Sequence, residues 1–145
     1  MLAVVDTNVW ISAMLRPGGF AAKVVDALAD HQFVALTSQT LDAELRNVAQ
    51  RPRLVSRFGL TIKATNLVLD VINDRSIRIA DPPLLRVGRD PMDDIFLAVA
   101  AAGHADAIVT RDDDLKGDRA VLEFADATGF QILTIQQFLD LLATQ

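Results

Sequence analysis

Ala3-Val4-Val5-Asp6-Thr7-Asn8 opens the chain with a short apolar run that ends in an acid. Far downstream, Ala107-Ile108-Val109-Thr110-Arg111-Asp112-Asp113-Asp114 follows the same plan. Each run reads as a buried strand that presents carboxylates at its carboxyl end. Open α/β sheets bind ligands at that edge. If the two strands are neighbours, acids distant in sequence converge on one spot. Two carboxylates 4 Å apart repel by about 4 kcal/mol at an effective dielectric near 20. A hard divalent cation with oxygen ligands is the usual compensation.

Between these runs, strand and helix patterns alternate. Residues 2–6 read as the first strand. Residues 20–28 have helical apolar spacing at Phe20, Val24, Val25 and Leu28. Residues 33–37 form a second strand. Ser38 or Thr40 can cap a helix to about residue 50, with Leu41, Leu45 and Val48 on one face. Arg51-Pro52-Arg53 interrupts that pattern. A helix is expected at 61–72, a short strand at 77–80 before Pro82-Pro83, a helix at 91–102 and a strand at 106–110. A helix at 119–127, a strand at 130–133 and a helix at 135–142 close the chain. Such alternation implies a mostly parallel sheet with helices on both faces.

Composition narrows the class. At 145 residues the chain suits one domain, 1–145, with a real core. Its 51% hydrophobic content excludes a disordered tail. With no cysteine it has neither disulfides nor thiolate metal sites, which fits a reducing compartment. Met1-Leu2-Ala3 leads into the first strand without a basic flank, so no signal peptide is expected. No apolar run reaches membrane-spanning length. The net charge of −5 argues against a nucleic-acid partner only if the acids are scattered. Setting aside Asp6, Glu44, Asp93, Asp94 and Asp112 from the 19 acids leaves 14, matching the 14 Lys and Arg. A metal bound by those five would reverse the local sign.

Each acid also has an ordinary role open to it. Asp6 suits a turn, with Asn8 as a second turn former. Glu44 borders the apolar stripe of its helix and must reach solvent or a partner. Asp93 and Asp94 fall in a first helical turn after the capping pair Asp90-Pro91, where acids complement the helix dipole. Asp112, Asp113 and Asp114 suit a cap or loop. His31 and His104 have no metal-pair spacing. The basic stretch Arg51-Pro52-Arg53-Leu54-Val55-Ser56-Arg57-Phe58 reads as solvated surface, and Arg51, Arg53 and Arg57 are the candidates for touching a phosphate backbone.

Taken together, these positions resemble the PIN-domain family, and within it the VapC-like toxin nucleases. The resemblance runs over the whole chain: Val4-Val5-Asp6-Thr7-Asn8, Glu44, Asp90-Pro91-Met92-Asp93-Asp94, then Ile108-Val109-Thr110-Arg111-Asp112-Asp113-Asp114-Leu115, and Ile132-Leu133-Thr134 with Phe138-Leu139. It implies a three-layer, Rossmann-like α/β/α sandwich around a central, mostly parallel sheet. It also implies an acidic pocket holding Mg²⁺ or Mn²⁺, and hydrolysis of RNA phosphodiester bonds. By position Asp6, Glu44, one of Asp93 and Asp94, and Asp112 match the acidic quartet. Asp93 is slightly favoured as the third member. Asp114 is an added or outer ligand, and Thr7, Asn8 and Thr110 support the site. The family context implies a cytoplasmic toxin of a type II toxin–antitoxin pair, with a small antitoxin partner and a homodimer.

Competing readings keep the pocket and change its use. A DNA or flap-type nuclease is disfavoured by the lack of a long basic insertion. A phosphatase wants an acid two residues after Asp6, where Asn8 stands. A non-catalytic PIN-like scaffold that binds RNA or protein would not need every acid to be retained.

Overall fold

Alternating burial along β1 (Leu2–Val5) sets the layers. Ala3 and Val5 pack into one apolar cluster, while Leu2 and Val4 pack into the other. A strand covered on both faces reads as a continuous apolar run, which is how the first strand appears in the sequence. The computed structural model describes residues 1–111 and 113–145, without the side chains of Asp113 and Asp114.

Four further strands, β2 (Val34–Thr37), β3 (Ser76–Arg78), β4 (Ala107–Val109) and β5 (Gln131–Leu133), complete a sheet ordered β3-β2-β1-β4-β5. Every pairing is parallel. β1 is central, with Val4 opposite both Leu36 and Ile108. The chain builds outward from β1 through β2 to β3, then returns to lay β4 and β5 on the other side. The order therefore reverses between β1 and β4, and a crevice opens at their carboxyl ends.

Helices fill both outer layers, as the sequence implied. One layer holds α1 (Thr7–Leu15), α2 (Ala22–Ala29), α4 (Ile62–Arg75) and α8 (Ile135–Ala143). Leu45 and Ala49 of α3 (Gln39–Ala49) join it. The opposite layer holds α5 (Pro91–Ala102), α7 (Arg119–Thr128) and Leu115 of the short α6 (Asp113–Gly117). No helix among the described residues is long and apolar enough to cross a membrane.

α1 departs most from the sequence expectation, which also lacked the short helical turns at Arg53–Arg57 and Asp113–Gly117. Asp6 and Asn8 read as turn residues, yet Thr7–Leu15 is a helix. Val9, Trp10, Ile11, Ala13 and Met14 are all buried there, so the polar face shrinks to Asn8 and Ser12. A helix covered almost all round loses the stripe by which periodicity finds helices.

Candidate active site

Asp6 is the first residue past β1. Its amide donates to Val109 O at 2.8 Å, extending the β1–β4 ladder by one step. Its Oδ1 accepts the Asn8 amide at 3.0 Å and so caps α1. Its Oδ2 accepts the Thr110 hydroxyl at 2.8 Å. Both residues are buried, Asp6 at 5% exposure and Thr110 at 1%. A carboxylate so placed is stabilised by two donors and by the positive end of α1. β1 and β4 are thus neighbours, the relation on which convergence of the two acidic strand ends depended. Asp112 lies outside the described residues, as do the side chains of Asp113 and Asp114, so the expectations for Asp112 and Asp114 fall there too.

The second contribution comes from α5. Asp90 caps it by accepting the Met92 amide at 2.9 Å, and Pro91 takes the first turn. α5 packs against β1, β2 and β4. A crossover between parallel strands runs antiparallel to them, so its first turn lies at the carboxyl edge of the sheet. Asp93 and Asp94 sit in that turn, both buried, at 7% and 8% exposure. Asp94 fastens a neighbouring segment, since its Oδ1 accepts the Val87 amide at 3.0 Å and the Gly88 amide at 2.7 Å.

That segment is held from a second side as well. Asp118 caps α7 through the Ala120 amide at 3.1 Å, and its Oδ2 accepts the Arg89 amide at 3.0 Å. The Arg89 side chain also pairs with it at 3.5 Å. The Arg89 amide bond holds the Asp118 carboxyl below its usual 3.8, against the opposing effect of burial. The Val121 and Ala120 amides and the Arg89 charge lower it further. Gly88 lies between the two acids. A Cβ there would stand 3.1 Å from Val121 Cγ2 and 3.5 Å from both Asp118 Oδ2 and Asp94 Oδ1.

Glu44 lies on α3, partly exposed, 3.9 Å from the Arg51 guanidinium. An exposed pair of that length is worth ~0–1 kcal/mol. Thr7 is buried, Asn8 is exposed, and Arg51, Arg53 and Arg57 are exposed as expected. Sequence reasoning passed over two acids. Asp42 accepts the Thr37 hydroxyl at 2.8 Å and pairs with Arg78, fastening α3 to β2 and β3. Asp118 stands just before a predicted helix, and the N-cap preference was the available signal.

Among the described residues no group of three or more Asp, Glu, His or Cys side chains is placed to hold a metal ion. The donors at this edge are carboxylate and hydroxyl oxygens, hard ligands that suit Mg²⁺ or Mn²⁺ rather than a thiophilic metal.

Comparison with known proteins agrees with this geometry. The family model described as PIN domain matches residues 3–114. The uncharacterized protein MJ1680 of Methanocaldococcus jannaschii is 31% identical over 112 residues, covering 77% of this chain and 71% of that protein. The crystal structure of PAE2754 from Pyrobaculum aerophilum superposes with a TM-score of 0.61 at 20% identity, over 100% of this chain and 91% of that one. VapBC2 from Rickettsia felis, bound to a DNA fragment from its promoter, superposes with a TM-score of 0.56 at 16% identity, over 92% and 98%. The extent of the family match and the identity to the archaeal relative together establish that this chain belongs to the PIN-domain family.

Proposed function

We propose that residues 1–145 form a single nuclease domain that hydrolyses RNA phosphodiester bonds with Mg²⁺ or Mn²⁺. The observation that carries this reading is the buried Asp6 carboxylate, fastened to Thr110 where the strand order reverses. Asp6, Asp93 and Asp112 would hold the cation, with Glu44 and Asp114 as outer ligands. Asp94 fastens the 87–89 segment, and Asp93, favoured by the spacing of its motif, is taken as the third acid of the quartet. When bound, such a cation lowers the pKa of water and offsets charge on the phosphate oxygens.

The protein's own groups prepare this chemistry. The Thr110 hydroxyl and the Asn8 amide each hold one Asp6 oxygen and so fix the carboxylate plane. The fastened 87–89 segment holds the first turn of α5 at the sheet edge. Arg51, Arg53 and Arg57 supply positive charge for the phosphate backbone. Hydrolysis by water leaves a 5′-phosphate and a 3′-hydroxyl and does not need the ribose 2′-hydroxyl.

The likeness to VapBC2 supports reading the chain as the toxin of a type II toxin–antitoxin pair, inhibited by a small antitoxin; a cytoplasmic location and a homodimer belong to the same proposal. Cleavage of RNA should stop in EDTA, return with Mn²⁺, and be nearly lost in Asp6→Asn. Undiminished cleavage in EDTA, or a 2′,3′-cyclic phosphate product, would reject the mechanism. A binding scaffold without catalysis is the second reading. It expects no carboxylate-dependent Mn²⁺ binding.

A further inference from the structure

After α3 the chain enters a π-helical turn, Arg53–Arg57, that ends at Phe58. The backbone on both sides of Phe58 is tied down. Its amide donates to Arg53 O at 3.3 Å, and the Leu60 amide donates to Leu54 O at 2.9 Å. Gly59 between them has φ +69°, a left-handed conformation that glycine adopts without a Cβ penalty. Leu60 is buried, yet the Phe58 ring is 51% exposed. Arg53 and Arg57 lie over that ring at 5.6 and 5.8 Å from its centre, within cation–π range.

The same ring walls an open cavity of about 250 Å³ shared with Ser12, Leu15, Arg16 and Arg111. Arg111 donates to the Ser12 hydroxyl and is thereby aimed at this cavity. Among the described lining residues there is no carboxylate. In a chain of net charge −5, this gathers Arg16, Arg53, Arg57 and Arg111 around one exposed aromatic ring. The cavity is also joined to Asp6 in two ways. Arg111 follows Thr110, and Ser12 lies six residues along the helix that Asp6 caps, about 9 Å at the helical rise.

A flat ring beside guanidinium planes binds an unpaired base, and neighbouring guanidinium groups bind its phosphate. Bases inside a duplex are already stacked and are not available to such a surface. We propose that this cavity seats one nucleotide of a single-stranded RNA next to the scissile bond, its base on Phe58 and its phosphate on Arg16 and Arg111. The proposal rests on the nuclease reading of the Asp6 site. An acidic peptide would match the charge but leave the ring unused.

The test is fluorescence anisotropy with labelled oligouridylate in the Asp6→Asn background, which binds without cleaving. Phe58→Leu should weaken binding about tenfold, and Arg16→Gln should both weaken it and flatten its salt dependence. Phe58→Trp should bind, with its emission quenched by the stacked base; the native Trp10 is buried and gives a constant background. Equal affinity of Phe58→Leu and its parent, or unquenched emission from Phe58→Trp, would overturn the platform even if the wild-type protein cleaves RNA with Mn²⁺. Phe58-dependent binding without any Mn²⁺-dependent cleavage would instead reject the nuclease and keep the platform. Oligoglutamate that displaces the RNA equally well from parent and Phe58→Leu would assign the cavity to an acidic peptide and overturn the proposal.

Discussion

The Thr110 hydroxyl donates to Asp6 Oδ2 at 2.8 Å, joining residues 104 positions apart. The bond follows from register. Val5 stands opposite Val109, so the next residues on β1 and β4 leave the sheet side by side. Thr110→Val keeps the shape and removes the donor. Leaving a buried carboxylate oxygen short of a partner costs about 1–3 kcal/mol. Loss of an outer hydrogen bond to a ligand lowers metal affinity roughly 10- to 100-fold. Calorimetric titration with Mn²⁺ should show that fall in Thr110→Val and recovery in Thr110→Ser. Equal affinities in all three proteins would remove Thr110 from the site.

Asp94 and the proposed metal ligand Asp93 are neighbours. Asp94 accepts two backbone amides, so Asp94→Ala should strand the Val87 and Gly88 N–H groups. A destabilisation of about 2 kcal/mol is expected, seen as a melting temperature several degrees lower. Asp93→Asn keeps both amides bound to Asp94 and should abolish Mn²⁺-dependent cleavage. The reverse pattern, with Asp93→Asn unstable and active, would exchange the two assignments.

Strand positions and the two-layered helical cover were legible because strands buried on both faces leave unbroken apolar runs, such as residues 2–5 and 107–109, whereas the order of the strands was not. The helix at Pro91–Ala102 was legible to the residue because Asp90-Pro91 marks its start chemically. α1 was hidden because burial on nearly every side erases its periodicity. The two roles of Asp93 and Asp94 were hidden for a different reason. Both acids satisfy the same helix-start preference, and only the path of residues 87–89 in space tells them apart. Asp42 and Asp118 act on backbone or side-chain partners, some of them dozens of positions away, which no local pattern encodes.

Gly88 offers a test of how tightly the 87–89 segment is held. In Gly88→Ala the amide still reaches Asp94, but the new methyl stands 3.1 Å from Val121 Cγ2, a fully buried side chain. Crowding of this kind costs ~1 kcal/mol or more. Trimming Val121 to alanine should relieve it, so the double variant should be more stable than the sum of the single losses predicts. Additive losses in thermal or urea unfolding would mean that the segment yields and the contact carries no strain.

Asp118 ties the fold's stability to pH. Its carboxyl sits below the usual 3.8 in the folded protein, chiefly through the Arg89 amide. A lowered folded-state pKa means that the ionised form favours folding. Its contribution is therefore complete above the unfolded value and fades as pH falls from there through the folded value. Asp118→Asn keeps an oxygen for the Ala120 amide but has no charge to lose. The gap in melting temperature between parent and Asp118→Asn should be widest near about pH 6 and should narrow as the pH falls below 3.8 and on through the folded value. A gap that stays constant across that range would mean that the charge of Asp118 adds nothing beyond the hydrogen bonds an amide oxygen can accept.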